Sequence, residues 1–313
     1  MTDRQLPALV ALGGAAAIGA MTAVQARING VLGVRLDDAL VAALISFSVG
    51  LAFVATAAVL MPSGRAGLRR LAAGFRERRI PFWMLLGGAC GALTVTTQGL
   101  VAGVLGVSLF TVGVVAGQTL NGLMLDRIGF GPAGVVAITP GRVLGGALAL
   151  AAVAISLGGD VLASAPLALL VLPFVAGVGI AWQSATNGRL AQRVASPMAA
   201  TLVSFSSGAA VLAVAAAISI AVRGAPDALP TEPWLYVGGA LGFVYILLAS
   251  FLVAHTGVLL LGLGSVLGQL AGSVVIDLIW PVAAGPALWQ LLAMIGLAVA
   301  SVVVALPRRR RRA

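Results

Sequence analysis

Long apolar runs separated by short polar stretches make up almost the whole chain. They fall at about residues 6–31, 39–62, 81–104, 107–126, 139–158, 165–190, 197–222, 233–254, 257–280 and 286–306. A helix needs roughly 20 residues to cross ~30 Å of hydrocarbon, and each of these ten runs is long enough. The runs are continuous rather than alternating, which excludes a β-barrel; in lipid the other way to pair every backbone amide is a helix. The pattern predicts an all-α integral membrane protein with ten transmembrane helices.

Composition agrees. Of 313 residues, 60% are hydrophobic and 9% charged, against about 45–50% and about 25% in soluble domains. Water-soluble enzymes, disordered chains and disulfide scaffolds are thereby excluded. The 19 basic residues are all Arg and outnumber nine acids, for a net charge of +10. Most of these arginines sit between the apolar runs, where they meet lipid headgroups. Membrane lipid, not nucleic acid, is the partner this implies. The Arg-only, Ala-rich and Gly-rich usage suggests a GC-rich bacterial genome. Cys90 is the single cysteine, so no intramolecular disulfide can form.

The chain repeats itself. Gln25, Asn29, Gly30 and Leu32 recur as Gln183, Asn187, Gly188 and Leu190, and Ser46-Phe47-Ser48 with Gly50 recurs as Ser204-Phe205-Ser206 with Gly208, all offset by 158. Trp83 with Gly87 and Gly91 recurs as Trp234 with Gly238 and Gly242. Gly113, Gly117-Gln118 and Asp126 recur as Gly264, Gly268-Gln269 and Asp277. These are all offset by 151. Two five-helix copies are expected, at residues 1–160 and 161–313. Ala23 to Ala26 reads locally as a signal-peptide cleavage site, but cutting there would remove the first helix of one copy.

Five is odd, so a chain that weaves continuously inserts its second copy upside down. The arginines test this. The side holding the N-terminus collects sixteen and the other side collects only Arg27, Arg35 and Arg223. The positive-inside bias makes the rich side cytoplasmic, with both termini inside. Inverted repeats are the architecture of many secondary transporters, which bind solute near the midplane between the copies.

Polar residues that recur in both copies are therefore the candidates for a site. Gln25 and Asn29, like Gln183 and Asn187, are four apart and share a helix face. An amide in hydrocarbon must be paired or wet. These four either line a solute cavity, with Trp182 as an aromatic wall, or join helices as Asn and Gln do in bundles. Gln118 and Gln269 begin a second stripe that ends at Asp126 and Asp277, the only acids within the ten runs. The two glutamines are further solute-binding candidates. The acids either carry protons between the faces or sit wet or paired at helix ends, Asp126 being next to Arg127. Gly113 and Gly117, and again Gly264 and Gly268, are spaced for close helix contact, and the duplication suggests that helices 4 and 9 pack together. His255 reads as an interfacial histidine, Arg27 as snorkelling, Phe47 and Phe205 as packing, and the tail from Pro307 as a lipid anchor.

The two inverted five-helix units, Gln25-Ala26-Arg27-Ile28-Asn29-Gly30, Ser46-Phe47-Ser48-Val49-Gly50 and Gly117-Gln118 leading to Asp126-Arg127-Ile128-Gly129, resemble the drug/metabolite transporter superfamily. More narrowly, the chain is similar to a bacterial branch found as five-helix single copies and as ten-helix fusions. The resemblance implies a cytoplasmic-membrane carrier for small metabolites or drug-like solutes, with its site between helices 1, 3, 4 and their counterparts. Small drug exporters of the superfamily bind protons and cations on a glutamate in helix 1. Helices 1 and 6 here contain none, which argues against proton-coupled export of cations.

A carrier working by alternating access is the leading expectation; a scaffold, channel or lipid-moving protein of the same fold is the alternative. One His, one Cys and two dispersed intramembrane acids give no catalytic or metal-ligating cluster, so no enzyme, cofactor or metal is implied. A fused duplicate completes its own pseudo-twofold axis, which makes a monomer simpler than a homodimer.

Overall fold

The computed structural model describes residues 8–102, 107–156, 167–226, 228–279 and 288–305. Every regular element among them is helical: α1 (Ala8–Leu36), α2 (Ala39–Leu60), α3 (Pro62–Arg76), α4 (Gly87–Thr97), α5 (Val107–Arg127), α6 (Pro140–Ser156), α7 (Leu167–Arg193), α8 (Pro197–Arg223), α9 (Val237–Ile279) and α10 (Leu288–Ala305). Short 3-10 turns, Phe82–Leu85 and Pro233–Tyr236, lead into α4 and α9. A π turn, Gln98–Ala102, ends α4. Five helical stretches among the described residues are long and apolar enough to cross a membrane: Val10–Leu36, Ala39–Leu60, Phe82–Ala102, Pro197–Arg223 and Pro233–Ser273.

Local chemistry sets the boundaries. Asp38 caps α2, accepting from the backbone N–H groups of Leu40 and Val41 at 2.8 and 3.1 Å. Ser196 caps α8 by accepting from Ala199 N–H, with Pro197 in the first turn. Both follow the preference for a short oxygen acceptor where the first amides have no helical partner. Outward faces are apolar. On α8, Val211, Val214, Ile218 and Val222 are exposed while Phe205, Gly208, Leu212 and Ala216 are buried. A helix apolar on both faces belongs in lipid.

One element departs from the hydropathy pattern. Residues 62–76, expected as a loop, form α3, whose buried Gly64, Gly67 and Leu71 share one face while Arg65, Arg69, Arg70 and Arg76 stay exposed. Such a short, basic, amphipathic helix suits a membrane surface. The runs at 233–254 and 257–280 are two helical arms, as expected, that follow one another directly as α9 and are parted by the non-helical Gly257, which has φ +74°. Glycine reaches this left-handed conformation without a Cβ clash.

Close backbone contacts knit the two copies together, and each contact recurs with the copies exchanged. A methyl added at Gly19 would lie 1.8 Å from the Ser265 carbonyl oxygen, and one at Gly268 would lie 1.7 Å from that of Ala16. The equivalent positions are Gly177, 2.1 Å from Val114 O, and Gly117, 2.0 Å from Phe174 O. So α1 packs on the arm of α9 after Gly257, and α7 packs on α5. Likewise Gly88 abuts Ser204 O and Gly239 abuts Ser46 O, while the Phe47 and Phe205 rings meet at 5.1 Å.

These contacts correct the expectation that the paired glycines join helices 4 and 9. Gly113 and Gly117 face Pro173 and Phe174 on α7, and Gly264 and Gly268 face Ala15 and Ala16 on α1. The reason is steric: Gly19 and Gly177 make the first helix of each copy narrow as well, so two narrow faces meet. The two helices, α5 and the arm of α9 after Gly257, do touch, but through Gly122 against Leu259 and Gly262 against Gln118.

Candidate functional site

α1, α2, α4, α7, α8 and the first arm of α9 converge on one cavity. The first copy lines it with Thr22, Gln25, Ser46, Phe47, Gly91, Thr94, Val95 and Gln98. The second contributes Ile180, Gln183, Phe205, Gly242, Tyr245 and Ile246. The frame is symmetric: Gln25 opposes Gln183, Phe47 opposes Phe205 and Gly91 opposes Gly242, each at its repeat offset. Three positions break the symmetry. Thr22, Thr94 and Gln98 correspond to Ile180, Tyr245 and Ala249. The space is small, about 30 Å³ on a measure in which one water takes about 10–15 Å³. Anything larger than a few waters fits there only if the helices part.

The two copies spend their amides differently. In the second, Gln183 and Asn187 both donate to the Ser204 hydroxyl, at 3.0 and 3.2 Å. In the first, Asn29 donates instead to the Gln98 carbonyl at 2.8 Å. Gln98 begins the π turn, and π turns often mark functional positions. Ser46, the counterpart of Ser204, is left with a hydroxyl buried and unpartnered. Removing the Asn29 amide strands the buried Gln98 oxygen, so Asn29→Ala should cost about 1–3 kcal/mol. The double variant Asn29→Ala/Gln98→Ala, which copies Ala249, should cost less than the sum when melting temperatures are compared.

The remaining candidates lie elsewhere. Gln118 packs on Gly262, and Gln269 donates to Ser265 within its own helix; neither lines the cavity. Trp182 also turns away. It stacks on Phe130 at 4.4 Å, Phe130 meets Trp83 at 5.1 Å, and the Arg189 guanidinium lies 5.1 Å over Phe130 while donating to Gly129 O. Arg over an aromatic face is favourable. This cluster closes the end of the bundle where the Arg-rich segments meet. There Arg70 donates to Val194 O and Ala195 O, Arg193 to Arg79 O and Gln192 to Pro132 O. The first copy has Val24 and Val31 in place of Trp182 and Arg189.

Asp126 is 1% exposed. It pairs with Arg142 of α6 and accepts from the N–H groups of Val258 and Leu259 at 2.8 and 3.1 Å, just after the Gly257 break. Those amides are the orphan donors of a fresh helix start, so the carboxylate serves as cap and ion partner together. Its partner is Arg142 rather than the adjacent Arg127. Asp277 is in α9, but its side chain lies outside the described residues. No group of three or more His, Cys, Asp or Glu that could hold a metal occurs among the described residues.

Sequence reasoning missed Thr22, Thr94, Gln98 and Arg142, because none recurs in the second copy. Gln98 did leave a signal. Thr94, Thr96, Thr97 and Gln98 form a polar break inside an apolar run.

The family model described as "Putative inner membrane exporter, YdcZ" matches the chain twice, over residues 10–155 and 168–306. The chain belongs to the YdcZ family. The YdcZ family lies in the drug/metabolite transporter superfamily, and with its apolar helices the chain is a multi-pass inner-membrane protein of the transporter class. No curated protein matches the chain. A solved structure described as "Crystal structure of protein" superposes with a TM-score of 0.60 over 95% of both chains at 18% identity, which is a likeness of fold.

Proposed function

We propose that this YdcZ-family chain is a secondary transporter that carries a small metabolite or drug-like solute by alternating access. The two inverted five-helix copies, residues 1–160 and 161–313, rock about the cavity between Gln25 and Gln183. The observation that carries the reading is the exchange of contacts. Gly19 on Ser265 and Gly268 on Ala16 have counterparts in Gly177 on Val114 and Gly117 on Phe174. A frame built from interchangeable contacts has two arrangements of similar energy, one open to each side. The two matches of the family model support the same division.

The cluster of Trp83, Phe130, Trp182 and Arg189 is the closed gate of this arrangement. Its face is the cytoplasmic one by the positive-inside bias, with both termini on that side. One chain supplies both walls of the cavity, so a monomer is sufficient. The test needs no solute. In a Cys90→Ala background, spin labels at Val135 and Gln192 span the Arg-rich end, and labels at Asp37 and Leu229 span the other. Each pair should give two distances in lipid, and a condition that lengthens one should shorten the other. A single distance at each end would defeat alternating access, and lengthening of both together would indicate a channel.

A further inference from the structure

Resting on the transport reading, we propose that the cavity takes an uncharged solute with a hydrogen-bond-donating end and an apolar body, and holds the polar end on the wall of the first copy. Among the described residues, no acid or base lines the cavity. Asp126 and Arg142, the buried ion pair, are satisfied by each other and by the backbone of Val258 and Leu259. An ion entering so dry a space would leave its hydration for no counter-charge, which is costly in the membrane interior. Net charge is thus selected against by the lining itself.

The polar side of the solute follows from how the hydroxyls are spent. On the second copy, Ser204 already receives both Gln183 and Asn187. On the first, Asn29 is diverted to Gln98, and the Ser46 hydroxyl, 3% exposed, has no partner. Thr22 and Thr94 donate to the carbonyls of Ile18 and Cys90 in their own helices. Their oxygens therefore keep lone pairs for a donor. Across the cavity the counterparts of Thr22 and Thr94 are Ile180 and the Tyr245 ring. An alcohol or amide group on an apolar body matches both walls.

Thiol chemistry tests this without knowing the solute. Ser46→Cys in a Cys90→Ala chain is treated in membranes with 2-hydroxyethyl, 2-aminoethyl or 2-sulfonatoethyl methanethiosulfonate. These probes have similar size and are neutral, cationic and anionic. Each rate is divided by that reagent's rate with a free thiol in water. The neutral probe should modify the Ser46→Cys thiol, and both ionic probes should be slower by roughly 10-fold or more, as expected for charge entering a site without a counter-ion. Equal relative rates would overturn the proposal and leave the transport reading intact, and no modification by any probe would show that Ser46 does not face the solute space. Thr94→Cys on the same wall repeats the measurement should Ser46→Cys fail to fold. Failure of transport itself is read separately, from the spin-label distances at the two ends.

Discussion

Arg142→Leu is expected to destabilise the purified chain by about 3–5 kcal/mol, the range for stripping one partner from a buried ion pair. The Asp126 and Arg142 side chains are only 2% and 8% exposed, so water does little to replace a lost partner. Without the guanidinium, the carboxylate keeps only the Val258 and Leu259 amides. Those amides, at the start of a helical arm, favour a negative charge there, and they hold the carboxylate in place where it is hardest to tolerate alone. Asp126→Asn/Arg142→Leu removes both charges while retaining an oxygen for the cap, and should recover much of the loss. Melting in detergent reads both. An Arg142→Leu chain as stable as the parent would mean that the pair does not join α5, α6 and α9.

Gly268→Ala should be comparably damaging for a different reason. The added methyl meets the Ala16 carbonyl oxygen at 1.7 Å, and a backbone oxygen cannot rotate aside as a side chain can. Overpacking costs about 1–3 kcal/mol and occasionally more, and this site belongs at or above the upper end. Gly117→Ala, which meets Phe174 O at 2.0 Å, should lose a similar amount because it occupies the exchanged position. Gly13→Ala, within α1 and with nothing within 4 Å, is the control and should be neutral or stabilising by up to about 1 kcal/mol. Similar melting temperatures for Gly268→Ala and Gly13→Ala would refute the close packing of α1 on α9.

Which of these features could be read from the chain depended on duplication. Residues under the same constraint in both copies, such as Gln25 with Gln183 and Gly117 with Gly268, stand out at a fixed offset, and the cavity lies between the first pair. Asymmetric residues do not stand out. Thr22, Thr94 and Gln98 have Ile180, Tyr245 and Ala249 as counterparts, so a search for recurrence passes over three of the eight residues on one wall. Close packing was legible as small residues four apart, but such spacing says that a helix is narrow and not which neighbour uses the gap. The ion pair was hidden because Arg142 joins Asp126 across a connecting segment, while Arg127 sits next to it in the chain. α3 was hidden because a helix with four arginines is judged polar by average hydropathy, although Gly64, Gly67 and Leu71 mark its buried face.

The unequal walls also bear on why two copies share one chain. A five-helix unit paired with itself would repeat one wall, either Thr22, Thr94 and Gln98 twice or Ile180, Tyr245 and Ala249 twice. Such a cavity would accept a solute end-for-end in either sense. Joined in one chain, the halves accumulate substitutions separately, and a change on one side is not copied to the other. On the proposed transport reading, a cargo would then have a single orientation, the same end being gripped whichever face of the membrane it is released to.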